Sequence, residues 1–168
     1  SIILHWLKEN YNADIIAYIA DLGQGEDLKA IAKRAKDVGA KKVYVENLRN
    51  EFVKDYVFPM IQASSVYEGN YLLGTSIARP LIAKRQIEIA KKEKSFAVSH
   101  GSTGKGNDQI RFELSFNALS PDIEIIAPWR IWDLKSREDC IRYARKNKIS
   151  VPVTKAKPYS CDRNIYHI

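Results

Sequence analysis

Short runs of apolar, β-branched residues alternate with helix-spaced apolar positions along the chain until about Pro152, after which the pattern turns irregular. The alternation is the βαβ signature of a parallel sheet covered by helices. It predicts strands at residues 14–20 (DIIAYIA), 42–46 (KVYVE), 96–99 (FAVS) and 123–127 (IEIIA). Each is short and apolar enough to be buried on both faces. The first residues, Ile2 to Leu7, already read as helix. A second helix is predicted over 26–38, opened by Glu26 and Asp27 and closed by Gly39. A third, 50–57, should stop at Pro59, which has no N–H to continue it. The longest covers 79–94, with Pro80 near its first turn and Ala83, Ile87 and Ala90 on one core face. Residues 109–119 form an amphipathic stretch, and Ser136 with Asp139 has capping-box spacing for a helix running to Lys146.

A chain of 168 residues that is 45% hydrophobic and 28% charged fits one globular domain, 1–168, rather than a disordered or fibrous protein. No apolar run approaches the roughly 18 residues of a membrane span, and no basic leader with a cleavage site precedes the first helix. A cytoplasmic protein without membrane partners is the expectation. Cys140 and Cys161 lie far apart with no CxxC pair, so free thiols are expected and no metal ligands are assigned. The net charge of +7 is spread along helices, as in Lys33-Arg34 and Lys84-Arg85. The surplus could mark nucleic acid, an anionic surface or polyanionic small substrates; its runs read mostly as solvated helix faces, and no aromatic-interleaved RNA-reading motif accompanies them.

In a parallel sheet the ligand sits beyond the carboxyl ends of the strands, which points to the loops after Ala20, Glu46, Ser99 and Ala127. The loop after Ser99, His100 to Asp108 (HGSTGKGND), carries the chemistry. Gly101, Gly104 and Gly106 permit positive φ and close approach of a ligand to backbone N–H groups, Lys105 adds a cation, and the next helix N-terminus favours an anion. The spacing is neither a Walker A loop nor the dinucleotide GxGxxG. Asn107, Asp108 and Arg111 fall in or near the first helical turn, where Asp108 suits an ammonium and Arg111 a carboxylate. Together they fit an amino-acid substrate; alternatively Asp108 is a helix cap and Arg111 half of a surface ion pair. Upstream, in NYLLGTSIARP, Ser76 or Thr75 reads as a helix N-cap, or Tyr71 and Ser76 as hydroxyls offered to substrate.

With YLLGTSIARP (residues 71–80), SHGSTGKGNDQIRFE (99–113) and APWR (127–130) in view, the sequence resembles the argininosuccinate synthase family of N-type ATP pyrophosphatases. The likeness extends over essentially the whole chain. It implies a Rossmann-like α/β nucleotide alpha hydrolase domain, and condensation of citrulline with aspartate driven by cleavage of ATP to AMP and pyrophosphate, with Mg²⁺, in a homotetramer. It also implies ATP contacts at Ser1, Ala20, Gly101, Gly104, Lys105 and Gly106, so that the basic surplus reads as helix-face solvation plus a small anion site for ATP and two amino acids rather than a nucleic-acid footprint. His100 beside the loop is read either as an ATP contact or as a structural hydrogen-bonding residue. Citrulline contacts are implied at Tyr71, Ser76, Asn107, Arg111 and Ser160, and aspartate contacts at Thr103, Asn107 and Asp108.

Departures from the family pattern carry expectations of their own. The family's pyrophosphate-gripping SGGLDTS loop is represented by its last serine alone, Ser1, so the domain is expected to lack its first strand, most of that loop and the carboxy-terminal synthetase region. Such a chain should bind ATP weakly and form no argininosuccinate alone. Alternatives are a tRNA-modifying adenylating enzyme and a non-catalytic nucleotide-binding module.

Overall fold

A computed structural model describes residues 1–150 and 163–166. In chain order the elements are α1 (Ile2–Tyr11), β1 (Ile16–Asp21), α2 (Leu28–Asp37), β2 (Lys42–Asn47), α3 (Arg49–Phe52), a π-helical turn (Val53–Val57) and α4 (Phe58–Gln62). They continue as α5 (Gly74–Lys92), β3 (Ala97–Ser99), α6 (Asn107–Leu119), β4 (Glu124–Ile126), α7 (Pro128–Ile131) and α8 (Arg137–Lys146). The described residues form two compact units, one of residues 1–21, 26–46 and 132–150, the other of residues 22–25, 47–131 and 163–166.

In the first unit β1 pairs with β2, and α1 buries Leu4 and Leu7. Trp6 meets Trp132 edge to face, with ring centroids 6.0 Å apart, and Tyr143 of α8 donates to Glu9 and contacts His5 Nδ1 at 2.9 Å. Asp27 caps α2 by accepting the Ala30 N–H at 3.0 Å. The helix begins one residue beyond that cap, so Glu26 lies outside it. Ser136 and Asp139 form the full capping box on α8: Ser136 Oγ accepts the Asp139 N–H at 3.1 Å, and Asp139 Oδ2 accepts the Ser136 N–H at 2.9 Å. Among these described strands no residue of β1 or β2 is fully buried, contrary to the expectation of burial on both faces. With two strands in the sheet each is an edge, and its pattern of exposure follows.

The second unit is built on a βαβ crossover. β3 and β4 are parallel, with Ala97 opposite Glu124, Val98 opposite Ile125 and Ser99 opposite Ile126. α6 connects them, and α5 packs along α6 and β3. The core between them comprises Ala83, Ile87, Ala90, Val98 and Phe116, with Phe112, Ile123 and Ile125 packed against it. Ala83, Ile87 and Ala90 thus form the core face that their spacing predicts. Lys84 and Arg85, part of the basic surplus, turn away from that face and share Glu51, at 2.5 and 3.0 Å.

Two helix boundaries differ from the sequence reading, and each involves a proline. Helix does not stop at Pro59 but continues to Gln62. The intervening π turn absorbs the break: the Phe58 N–H reaches back to Val53 O, and Pro59 then occupies an opening position of α4, where no N–H is required. α5 starts at Gly74 rather than Arg79, so Pro80 lies inside it. A proline there leaves the Ser76 carbonyl without its helical donor, at a cost of about 3 kcal/mol. Burial on two sides of the helix, of Ala78 and Leu81 on one and of Ala83, Ile87 and Ala90 on the other, offsets that cost. Leu73, in the left-handed region at φ 59°, is the N-cap, so neither Thr75 nor Ser76 caps the helix.

Candidate active site

Parallel pairing sets the geometry of the site. With Ser99 opposite Ile126, the two strands end side by side, and the chain leaves β3 into the glycine-rich loop and β4 into α7 at the same edge. Residues far apart in sequence, the loop and Arg130, therefore meet. A Cβ placed on Gly104 would lie 3.2 Å from Arg130 Cγ, and one on Gly106 would lie 3.3 Å from Thr103 Oγ1. The loop glycines are thus used for close approach within the protein. Positive φ, expected from the sequence, is absent at Gly101, Gly104 and Gly106. Gly106 is instead the extended N-cap of α6, with φ −99° and ψ 159°.

His100 anchors the start of the loop. It is 5% exposed, stacked on Phe112 with an interplanar angle of 9°, and both ring nitrogens are engaged. Nδ1 accepts the Ser102 N–H at 3.3 Å, which selects the tautomer whose Nε2–H donates to Glu113 Oε1 at 3.0 Å. The same Glu113 oxygen is 2.8 Å from Arg130 Nη2. Burial pushes the His100 pKa below the ordinary histidine value and Arg130 acts in the same direction, against the opposing pull of Glu113. Both ring nitrogens thus make structural hydrogen bonds, as one of the two sequence readings of His100 expects.

At the far end of the loop α6 begins, and its first-turn N–H groups have no partners within the helix. Gln109 Nε2 donates to Gly104 O at 3.0 Å, tying loop to helix. Thr103, Lys105 and Asn107 are exposed beside this terminus. Asp108 is held more tightly than its sequence reading suggests. Its Oδ1 accepts from Arg111 Nη1 at 2.8 Å, while its Oδ2 accepts from Arg79 Nε at 2.9 Å and Nη2 at 2.7 Å. Burial alone would raise the Asp108 pKa, but hydrogen bonds and charge from Arg79 and Arg111 outweigh it and hold the carboxyl below the usual range. Tyr71 and Ser76 come together, Oη to Oγ 3.4 Å apart.

Ser1 is the exposed N-cap of α1 and Ala20 is half-buried in β1, both in the first unit. Ser160 lies outside the described residues. Sequence reasoning missed three participants, Arg79, Glu113 and Arg130. Each stands within or at the end of a segment already singled out, IARP, RFE and APWR, but its partner is supplied by another element. Among the described residues no group of three or more His, Cys, Asp or Glu side chains is placed to hold a metal ion, and no helix is long and apolar enough to cross a membrane.

A parallel βαβ unit whose strand ends carry a glycine-rich loop opening onto a helix N-terminus defines an α/β protein of the nucleotide-binding class. Residues 1–150 match the family described as the arginosuccinate synthase N-terminal HUP domain, and the chain belongs to that family. All 168 residues align at 61% identity with the argininosuccinate synthase of Carboxydothermus hydrogenoformans, covering 42% of that protein. They align at 62% with that of Thermoanaerobacter sp. strain X514, covering 41%. The chain thus spans about two fifths of the length of the curated relatives it matches.

Proposed function

We propose that the protein takes part in the ATP-dependent ligation of L-citrulline and L-aspartate to argininosuccinate, with this chain as its nucleotide-binding domain. The reading rests on family membership and on one observation above all: a carboxylate and a guanidinium, Asp108 and Arg111, stand at the helix N-terminus that closes the glycine-rich loop. An amino acid needs that charge pair, and a phosphate needs the loop and the helix end.

On this reading the ureido oxygen of citrulline attacks the α-phosphorus of ATP, and pyrophosphate leaves. The aspartate amine then attacks the ureido carbon of the citrullyl-adenylate, the C–O bond to AMP breaks, and the amine loses its proton. The protein contributes alignment and charge shielding rather than a nucleophile. Gly101, Gly104, Lys105 and Gly106, with the α6 N-terminus, receive the nucleotide. His100 fixes the loop. Tyr71, Ser76, Asn107, Arg111 and Ser160 receive citrulline, and Thr103, Asn107 and Asp108 receive aspartate. Asp108 is committed to two guanidiniums, so these residues do not make a resident metal centre; Mg²⁺ is taken to enter with the ATP phosphates. A homotetramer in the cytoplasm completes the proposal.

Isotope transfer tests the chemistry. With citrulline labelled at the ureido oxygen with heavy oxygen, the protein at its full native length should place the label in AMP. AMP formed without label, or ATP cleaved to ADP, would overturn the reading.

A further inference from the structure

We propose that Arg79 is a positioning residue for the amino-acid end of this site, holding Asp108 in place so that Arg111 is free to turn to a substrate carboxylate. The inference rests on the reading of Asp108 as the ammonium contact. The two arginines hold Asp108 unequally. Arg79 directs two donors, Nε at 2.9 Å and Nη2 at 2.7 Å, at the single oxygen Oδ2. Its guanidinium also lies over the Phe112 ring, 5.7 Å from the centroid, and Phe112 is itself stacked on the buried His100. Arg111 directs one donor, Nη1, at Oδ1, from a side chain 28% exposed against 19% for Arg79.

Charge gives the inequality its meaning. Two guanidiniums share one carboxylate, each on its own oxygen. If Arg111 leaves Oδ1 for the carboxylate of an incoming amino acid, Asp108 still keeps Arg79, and no partly buried charge is stranded. The vacated Oδ1 is then the oxygen that faces an ammonium, while Oδ2 and the carboxylate rotamer stay fixed. Without Arg79 the same exchange would leave Asp108 held by the substrate ammonium alone and free to rotate. Lysine cannot substitute fully, because its ammonium has no planar fork and does not stack on Phe112 in the same way.

The test compares Arg79→Gln, Arg79→Lys and Asp108→Asn in the protein at its full native length, by initial rates with each of the three substrates varied. Arg79→Gln should raise the KM for aspartate about tenfold or more while the KM for ATP stays within about twofold, and Arg79→Lys should fall between it and the wild type. A purely structural role would lower the amount of folded enzyme without this selective rise. An aspartate KM unmoved by Arg79→Gln but raised by Asp108→Asn overturns the inference and leaves the reading of Asp108 standing. An aspartate KM unmoved by Asp108→Asn overturns that reading and the inference with it. If Arg79→Gln does not fold, Arg79→Lys decides: a severalfold selective rise supports the role, and an unchanged aspartate KM rejects it.

Discussion

The buried imidazole of His100 donates Nε2–H to Glu113 Oε1 across 3.0 Å, and so joins the first residue of the glycine-rich loop to the middle of the helix that follows it. Arg130 reaches the same carboxylate oxygen from beneath Gly104, which closes a ring of loop, α6 and α7. The loop is therefore shaped by groups that lie below it, and its exposed residues are left for ligand.

That ring predicts a pH dependence. The folded His100 pKa is lowered by burial and by Arg130, so below the ordinary value of about 6.5 the unfolded chain takes up a proton that the folded chain resists. Stability from this residue is present in full above about pH 6.5 and declines as pH falls below it. Thermal melts followed by circular dichroism between about pH 7 and pH 5 should show that decline, and His100→Gln should flatten it. An equal slope in the variant would assign the effect to other groups.

Two glycines should respond differently to alanine. Gly23 has φ +82°, and a Cβ there would meet Ile165 Cβ at 3.0 Å with Ile165 backbone close behind. Gly23→Ala should therefore cost about 2 kcal/mol in urea denaturation. At Gly104 the obstacle is the stem of an exposed arginine at 3.2 Å, which can shift, so Gly104→Ala should cost less than about 1 kcal/mol. Its effect should appear in nucleotide affinity, because the shifted Arg130 loosens its hold on Glu113.

Ser136→Ala removes the side-chain acceptor of the Asp139 N–H and one support of the capping box. The expected loss is about 1 kcal/mol, read as a lower denaturation midpoint at unchanged m-value. Ligand affinity should be kept, since neither Ser136 nor any residue of α8 is among the proposed ligand contacts.

What was legible in the sequence is what short-range patterning dictates. The strands at Val98 and Ile125, the core stripe of Ala83, Ile87 and Ala90, and the Ser136–Asp139 cap all follow from local periodicity and capping chemistry. The loop after Ser99 was legible because a strand, glycines and a helix start occur in that order. Pro59 misled because a π turn upstream moved the missing donor to a position where none is needed. Pro80 misled because burial on two sides of α5 outweighed one lost hydrogen bond. Arg79 escaped notice because its meaning depends on Asp108, which is 29 residues away on another helix and is brought near by tertiary packing.

The central claim is that the loop from Ser99 and the first turns of α6 receive a nucleotide and two amino acids side by side. A crystal structure of the protein at its full native length with ATP, citrulline and aspartate bound tests this most directly. Citrulline is expected against Asn107 and Arg111, an aspartate ammonium at Asp108, and phosphate oxygens at the loop N–H groups. Amino acids seated away from the α6 N-terminus, with Arg111 still bonded to Asp108, would contradict that claim.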